Sequence, residues 1–140
     1  MKIAVAYDNT EGARKAAQAA VPIARASNAS LVLIHVLNPR ADLAEFEGSH
    51  EEALNAAMRK AEGNARDFAT GLLDGVEVRI ELQERGEDPG EALARYAREL
   101  GADLIATATR RAGGLSGFFL GSVTQQLIQK AACPVMVVRV

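Results

Sequence analysis

This chain of 140 residues is poor in several residue types on which particular functions depend. It has no tryptophan, one cysteine and only 4% aromatic residues. A single cysteine excludes an internal disulfide, and the chain has neither a second cysteine nor a His-x-x-x-His spacing that would indicate zinc. So few aromatic side chains do not provide a platform on which nucleic-acid bases stack. The composition therefore argues against a disulfide scaffold, a zinc domain and a single-strand-binding module.

Charge and hydropathy exclude two further classes. The chain carries 16 basic and 18 acidic residues and a net charge of -2, so a basic nucleic-acid-binding surface is not expected. No apolar run approaches the roughly 18 residues of a membrane span. Met1 and Lys2 lead into a strand pattern without a signal segment, which predicts a cytoplasmic protein. With 49% hydrophobic residues, the chain is expected to form one domain over residues 1–140.

Strand-like and helix-like patterns alternate along the whole sequence. Apolar runs predict strands at residues 2–7, 31–37, 76–82, 103–109 and 134–140, with apolar residues three or four apart in the segments between them. The continuous run 31–37 indicates burial on both faces, whereas strict alternation in 76–82 indicates an edge or half-exposed strand. His35 is expected to be a core histidine and Cys133 a buried small hydrophobe. Pro22 is expected to kink the first helix or to mark an irregular turn.

This order predicts an α/β fold, a three-layer sandwich with helices on both faces of a mostly parallel sheet. In such folds ligands bind beyond the carboxyl ends of the strands, where the strand order reverses. If that reversal lies between the first and fourth strands, Asp8 and the 107–124 loop share one crevice. The loop ends at Gly121 and Ser122 before a helix, where unpaired N–H groups and the helix dipole favour an anion.

Five motifs, in this order and spacing, resemble the universal stress protein family over essentially the whole chain. They are Val-Ala-Tyr-Asp at residues 5–8, Leu-Ile-His-Val at 33–36, Ala-Asp-Leu-Ile at 102–105, Leu-Gly-Ser-Val-Thr at 120–124 and Cys-Pro-Val-Met-Val-Val at 133–138. The resemblance implies a five-stranded parallel sheet in the order 3-2-1-4-5. It also implies a homodimer formed through the C-terminal strand, which begins at Pro134 and ends at Val140.

The resemblance further implies a site for ATP or another adenine nucleotide such as AMP, with or without Mg²⁺. Nucleotide-binding members share a loop of Gly, two residues, Gly, nine residues, Gly, then Ser or Thr. Gly121 and Ser122 match its end, but Ala108 and Arg111 stand in place of the first two glycines. The implied site comprises Asp8, Val36 (through its backbone), Ala108, Arg110, Arg111, Gly121, Ser122, Val123 and Thr124.

The two arginines leave three interpretations open. Arg110 and Arg111 form a solvated pair, or their guanidinium groups bind phosphate oxygens, or Arg111 fills the phosphate space and pairs with Asp8. Asp8 is likewise either a turn and capping residue or a nucleotide contact. Gly121 and Ser122 are either only a helix start or also an anion site. The function that follows is a regulatory, nucleotide-binding stress-response protein.

Two alternatives remain. The first is a dimeric module of the same fold that has lost nucleotide binding and contacts an unknown protein partner. The second, an enzyme such as a slow ATPase, is not favoured, because residues 107–124 contain no lysine and no visible base or nucleophile.

Overall fold

Five strands and four helices alternate in the computed structural model, which describes residues 1–40, 48–109 and 120–140. The strands are β1 (Lys2–Ala6), β2 (Ser30–Leu37), β3 (Glu77–Leu82), β4 (Leu104–Ala108) and β5 (Val135–Val138). The helices are α1 (Glu11–Ser27), α2 (His50–Thr70), α3 (Pro89–Glu99) and α4 (Ser122–Lys130). Each predicted strand is present, with bounds one to three residues shorter in most cases.

The five strands form one parallel sheet in the order β3-β2-β1-β4-β5, which confirms the predicted architecture. The central strand β1 pairs on one side with β2, the next strand in the chain, and on the other side with β4, which comes much later. Ala4 lies opposite Val32 of β2 and Ile105 of β4. The alternating strand β3 is an edge, and the continuous apolar strand β2 lies inside the sheet, as their patterns predicted.

Each face of the sheet has its own apolar core. On one face, Ile3, Val5, Leu31 and Leu33 pack against alanines of α1 and α2. On the other face, Ala4, Val32, Ile34 and Ile105 pack against α3 and α4, through side chains that include Leu93, Ala97 and Leu127. The alanine-rich surfaces of the helices leave little side-chain bulk between helix and sheet, so the layers approach closely.

The first helix is continuous through Pro22, so the predicted alternative of an irregular turn at this residue is wrong. Pro22 is solvent-exposed, and α1 runs five residues beyond it to Ser27. A proline within a helix removes one backbone donor. The apolar side chains on the other side of α1, from Ala13 to Ala24, are buried against the sheet and hold the helix in place in spite of this. Among the described helices, none has the length and apolar character to cross a membrane.

Candidate functional site

A crevice of about 580 Å³ opens at the carboxyl ends of β1, β2 and β4. After β1 the chain passes to α1 on one face of the sheet, and α4 lies on the opposite face beside β4. Because α1 and α4 lie on opposite faces of the sheet, a gap is left between the carboxyl ends of β1 and β4. The strand order reverses at this gap, which is where ligand sites are expected in such sheets. Six of the nine predicted site residues line this gap: Asp8, Val36, Ala108, Gly121, Val123 and Thr124.

Of the other three predicted residues, only Ser122 belongs to the described part of the chain, and it does not line the crevice. Ser122 is exposed at the first position of α4. Arg110 and Arg111 lie outside the described residues. The three interpretations of these arginines, including an ion pair between Arg111 and Asp8, therefore stay predictions.

Asp8 lies at the rim of the crevice and is held there by Thr10. Its Oδ1 accepts a hydrogen bond from the Thr10 hydroxyl (2.6 Å) and one from the Thr10 backbone N–H (3.2 Å). Asn9 between them has a φ of 64°, a left-handed conformation that asparagine tolerates better than most residues. Asp8 thus has the turn role that was one of its two predicted alternatives, while its side chain remains exposed at the crevice.

The Thr10 hydroxyl has a second role at the start of α1. The Thr10 side chain accepts a hydrogen bond from the backbone N–H of Ala13 (3.2 Å) and is the N-cap of the helix. The hydroxyl therefore donates to Asp8 and accepts from Ala13. One of the unpaired N–H groups of the first helical turn is satisfied within the protein.

Tyr7, Asn9 and Arg14 form a polar cluster that the sequence did not reveal. Tyr7 is 2% exposed, stacks on Phe68 with ring centroids 5.3 Å apart, and donates its hydroxyl hydrogen to Asn9 Oδ1 (3.1 Å). Arg14 Nη2 donates to the same oxygen (2.8 Å). Burial raises the pKa of Tyr7, so its hydroxyl stays protonated and acts as the donor. The only sequence signal was a tyrosine at the end of an apolar strand.

One side of the crevice is an apolar wall formed by Ile34, Val36, Pro89 and Leu93. The carbonyl of Ile34 accepts a hydrogen bond from the N–H of Tyr7 (2.9 Å) at the end of the β1–β2 pairing. Residues two apart in a strand direct their backbone groups to the same side. The N–H and C=O of Val36 therefore project beyond the end of β1, into the crevice that Val36 lines.

The loop between β3 and α3 carries Gln83 and Pro89 to the crevice and has a fixed internal structure. The carboxylate of Glu87, 13% exposed, accepts hydrogen bonds from Arg95 Nε (2.8 Å) and Nη2 (2.9 Å) and from the Glu84 N–H (3.1 Å). The side-chain amide of Gln83 donates to the Glu87 carbonyl. The hydrogen bonds from Arg95 lower the pKa of Glu87 despite its burial. The loop therefore holds Pro89 in place without a ligand.

On the opposite side of the crevice is the N-terminus of α4. Gly121 is the N-cap residue and has no side chain with which to accept a hydrogen bond from the first turn. The N–H groups of the first helical residues have no partner within a helix, and no described side chain accepts a hydrogen bond from them. The buried Thr124 hydroxyl donates to the carbonyl of Ala108 (3.3 Å), which attaches α4 to the end of β4.

His35 and Cys133 are both less buried than the sequence predicted. His35, expected in the core, is half-buried and lines the crevice. Cys133 is also half-buried, and burial together with the nearby Asp103 raises the pKa of its thiol, so it is neutral at pH 7. Among residues 1–40, 48–109 and 120–140, no group of three or more His, Cys, Asp or Glu side chains could hold a metal ion.

Known proteins resemble this chain along its entire length. The model of the universal stress protein family matches residues 1–139. A universal stress protein of Thermus aquaticus is 37% identical over 137 residues, covering 98% of this chain and 97% of its own. The solved structure of the hypothetical protein MJ0577 is 26% identical, with a TM-score of 0.77 and coverage of 99% and 95%.

A third relative was solved with a ligand. It is a universal stress protein in complex with cAMP, 27% identical, with a TM-score of 0.65 and coverage of 99% of this chain and 96% of its own. The sheet order, the position of the crevice and these similarities agree with one another. This chain belongs to the universal stress protein family.

Proposed function

We propose that this protein binds an adenine nucleotide, ATP or AMP, in the crevice and acts in a stress response as a regulatory protein. Membership of the family supports the stress-response role at that general level. The observation that carries the proposal is the start of α4. Its N-cap residue is a glycine that lines the same crevice as the apolar wall. A nucleotide has the matching chemistry, since it joins an anionic group to a flat, largely apolar base.

The phosphates would bind at the start of α4. The N–H groups of Val123 and Thr124 belong to the first helical turn, and the helix dipole favours negative charge there. Val123 lines the crevice, and Thr124 is 2% exposed. The hydroxyl of Thr124 already donates to Ala108, so its contribution to an anion would come from its backbone.

The base would lie against the apolar wall. Ile34, Val36, Pro89 and Leu93 offer aliphatic surface to its faces. The backbone N–H and C=O of Val36 can pair with the acceptor and the amino donor that adenine presents side by side. The cAMP complex of a related universal stress protein supports an adenine nucleotide in this fold.

Asp8 would contact the sugar or a magnesium ion that arrives with ATP. Its exposed carboxylate at the rim lies between the apolar wall and the start of α4 in the lining of the crevice. Mg²⁺ is usually held by one or two carboxylates together with phosphate oxygens and water. A single carboxylate therefore matches a metal ion whose other ligands belong to the nucleotide.

The proposal does not include catalysis. Residues 107–124 contain no lysine, so the chain does not provide a P-loop contact to the transferred phosphate. Phosphate release from ATP at the rate of a blank without protein is the expected result. Release above that blank that disappears in Asp8→Asn would establish an ATPase instead.

Calorimetric titration of ATP with Mg²⁺ into the purified protein tests nucleotide binding. We expect heat of binding and a higher melting temperature at millimolar nucleotide. Asp8→Asn keeps an oxygen that accepts from Thr10 but loses the charge, and it should weaken Mg²⁺-dependent binding. Asp74→Asn, at an exposed turn, is the matched control. Absence of both heat and thermal shift in the wild type would contradict the proposal.

The presence of Arg111 favours a second candidate function, a module that has lost nucleotide binding and contacts a protein partner. A glycine at this position allows close backbone approach and positive φ, and arginine loses both. Under this alternative the wild type does not bind ATP and Arg111→Gly creates measurable binding. Equal binding by the wild type and Arg111→Gly would exclude the alternative.

We also propose that two copies pair through β5. This edge strand consists of Val135, Met136, Val137 and Val138, all half-buried, and β4 is its only neighbour among the described strands. An apolar edge without charge is open to pairing with another strand. Sedimentation velocity should show a dimer for the wild type and a monomer for Val137→Lys. A monomeric wild type at the highest soluble concentration would refute the pairing.

A further inference from the structure

The start of α3 is capped by a side chain from another helix. Gly90 is the second residue of α3, and its backbone N–H donates to Oε1 of Gln126 in α4 (2.8 Å). The N-cap residue of α3, Asp88, makes no cap hydrogen bond with its own side chain among the described residues. Gln126 therefore performs, across 36 residues of sequence, the role that an N-cap side chain usually performs.

The two helices are in direct backbone contact at this point. A Cβ placed on Gly90 would lie 2.4 Å from Cβ of Gln126, 2.6 Å from the carbonyl oxygen of Val123 and 2.7 Å from Oε1 of Gln126. Such distances are far below van der Waals contact, so only glycine fits. Because the carbonyl is part of the α4 backbone, the separation of the helices is set by the absence of a side chain at Gly90.

This contact joins two helices that both supply residues to the lining of the crevice. Pro89 precedes Gly90 and, with Leu93, forms the α3 part of the apolar wall. Val123 precedes Gln126 by one helical turn and lies at the start of α4, which lines the opposite side. The hydrogen bond between Gly90 and Gln126 thus joins the two helices that supply the two sides.

We propose that Gln126 is a positioning residue that fixes the apolar wall relative to the start of α4. It does not line the crevice and acts through Gly90 and Val123. Its effect on a nucleotide rests on the proposed function, because a ligand that reaches both sides at once requires their spacing to be set beforehand. A ligand that contacts one side only does not require this.

Substitutions at Gln126 test the positioning in the ligand-free protein. Gln126→Leu removes the acceptor at similar volume, and Gln126→Glu retains an oxygen at a helix start that favours negative charge. Gln126→Asn is a second disruptive variant, since its shorter side chain does not reach Gly90. Gln129→Leu changes an exposed glutamine one turn further along α4 and is the control.

In Gln126→Leu and Gln126→Asn, we expect amide exchange at Gly90 to accelerate about tenfold or more, because the N–H loses its acceptor. The methyl NMR signals of Leu93 and Val123 should shift in the same variants. Gln126→Glu should restore both readouts, and Gln129→Leu should change neither. Unchanged methyl signals in folded Gln126→Leu and Gln126→Asn would overturn the positioning role, whatever the protein binds.

Titrations with ATP, adenosine and inorganic pyrophosphate measure how the loss of the Gly90–Gln126 hydrogen bond changes ligand affinity. In Gln126→Leu, ATP affinity should fall about tenfold, while the affinities for adenosine and pyrophosphate change less than about threefold, because each contacts one side only. An unchanged ATP affinity in a variant with shifted methyl signals would overturn this consequence. A wild type that binds no ATP would refute the proposed function, while the NMR comparison would still decide the positioning role.

Discussion

The helices α1 and α4 both begin at the crevice, but their first turns differ. At α1, Thr10 accepts a hydrogen bond from Ala13 and is itself tied to Asp8. At α4, the N-cap is Gly121, which has no side chain, and no side chain of the described residues caps the turn in its place. One N–H of the first turn of α1 has a partner within the protein, whereas no described side chain accepts a hydrogen bond from the first turn of α4.

Under the proposed function, this difference in capping separates a structural helix start at α1 from a phosphate-binding one at α4. A helix dipole favours an anion at both starts, so the dipole alone does not locate a site. What distinguishes them is the N-cap residue, because a capped N–H must lose its internal hydrogen bond before it binds a phosphate. Of four changes, two alter a helix cap directly and two alter the surroundings of the crevice.

The largest effect is expected for Gly90→Ala, which moves the α4 start away from the apolar wall. The added Cβ would overlap backbone and side-chain atoms of α4, so we expect a loss of about 1–3 kcal/mol in the free energy of unfolding. Urea unfolding measures it. In the control Gly63→Ala, in α2, a Cβ would meet no described atom within 4 Å beyond its own helix backbone. That variant should gain about 0.5–1 kcal/mol, and equal effects of the two substitutions would contradict the close approach at Gly90.

The next largest effect is expected when a substitution at the N-cap converts α4 into a capped helix like α1. Gly121 has φ −62° and ψ 160°, which any residue can adopt, so Gly121→Asp can place a carboxylate on the first turn. We expect ATP binding to weaken by about tenfold or more while stability changes by only a few tenths of a kcal/mol. Gly121→Ser, a neutral cap, should weaken ATP binding less. Calorimetry and urea unfolding on the same preparations give both values, and unaltered ATP binding by folded Gly121→Asp would place the phosphates elsewhere.

A smaller loss is expected when α1 is made to resemble α4. Thr10→Ala removes the hydroxyl that links Asp8 to Ala13 and should cost about 1 kcal/mol of unfolding free energy. Thr10→Ser keeps the hydroxyl and is the control. Since the N–H of Ala13 is already bonded to Thr10, and Thr10 in turn holds the carboxylate of Asp8 beside this turn, the wild-type protein should not bind an anion there. Pyrophosphate binding that persists in Gly121→Asp but is lost in Thr10→Ala would reverse the assignment of the two starts.

The smallest effect is expected for a substitution of Glu87 in the loop between β3 and α3, and it is a change in how the free energy of unfolding depends on pH. The pKa of Glu87 is lowered in the folded state from its ordinary value of 4.5, chiefly by hydrogen bonds from Arg95. A lowered pKa means that the ionised carboxylate stabilises the fold above pH 4.5 and that this contribution is lost as pH falls through the folded pKa. Urea unfolding between pH 3 and 7 should therefore show a shallower acid decline in Glu87→Gln than in wild type. Glu84→Gln, at an exposed carboxylate 3.6 Å from Arg95, should decline as the wild type does.

The sequence was sufficient to predict the architecture, because the hydrophobic patterns that indicate strands and helices are local. Alternation in 76–82 and continuous hydrophobicity in 31–37 distinguished an edge strand from an interior one, and both positions in the sheet are confirmed. The helix start at Gly121 and Ser122 was also visible as a glycine and a hydroxyl after an apolar strand. These features depend on neighbours within a few residues, which a linear pattern records.

The contacts that shape the crevice were not predictable, because their partners are distant in the chain. Gly90 and Gln126 are 36 residues apart, and each alone is an ordinary helix residue. The hydrogen bond from the Thr124 hydroxyl to the Ala108 carbonyl was not predictable either, because the sequence indicated only a ligand contact for this hydroxyl. Pro22 shows the converse, since burial of the α1 alanines overrides a local signal for a break.

The central place of β1 in the sheet has a consequence for synthesis on the ribosome. Ile3 lies opposite Leu104, so one edge of β1 stays unpaired until β4, about 100 residues later in the chain, has been synthesised. At roughly 5–20 residues per second, that edge is without its partner for about 5–20 s, after β2 has already become available on the other side. Pairing of β1 is thus completed late, and during this interval its unpaired edge is open to association with other unfinished copies.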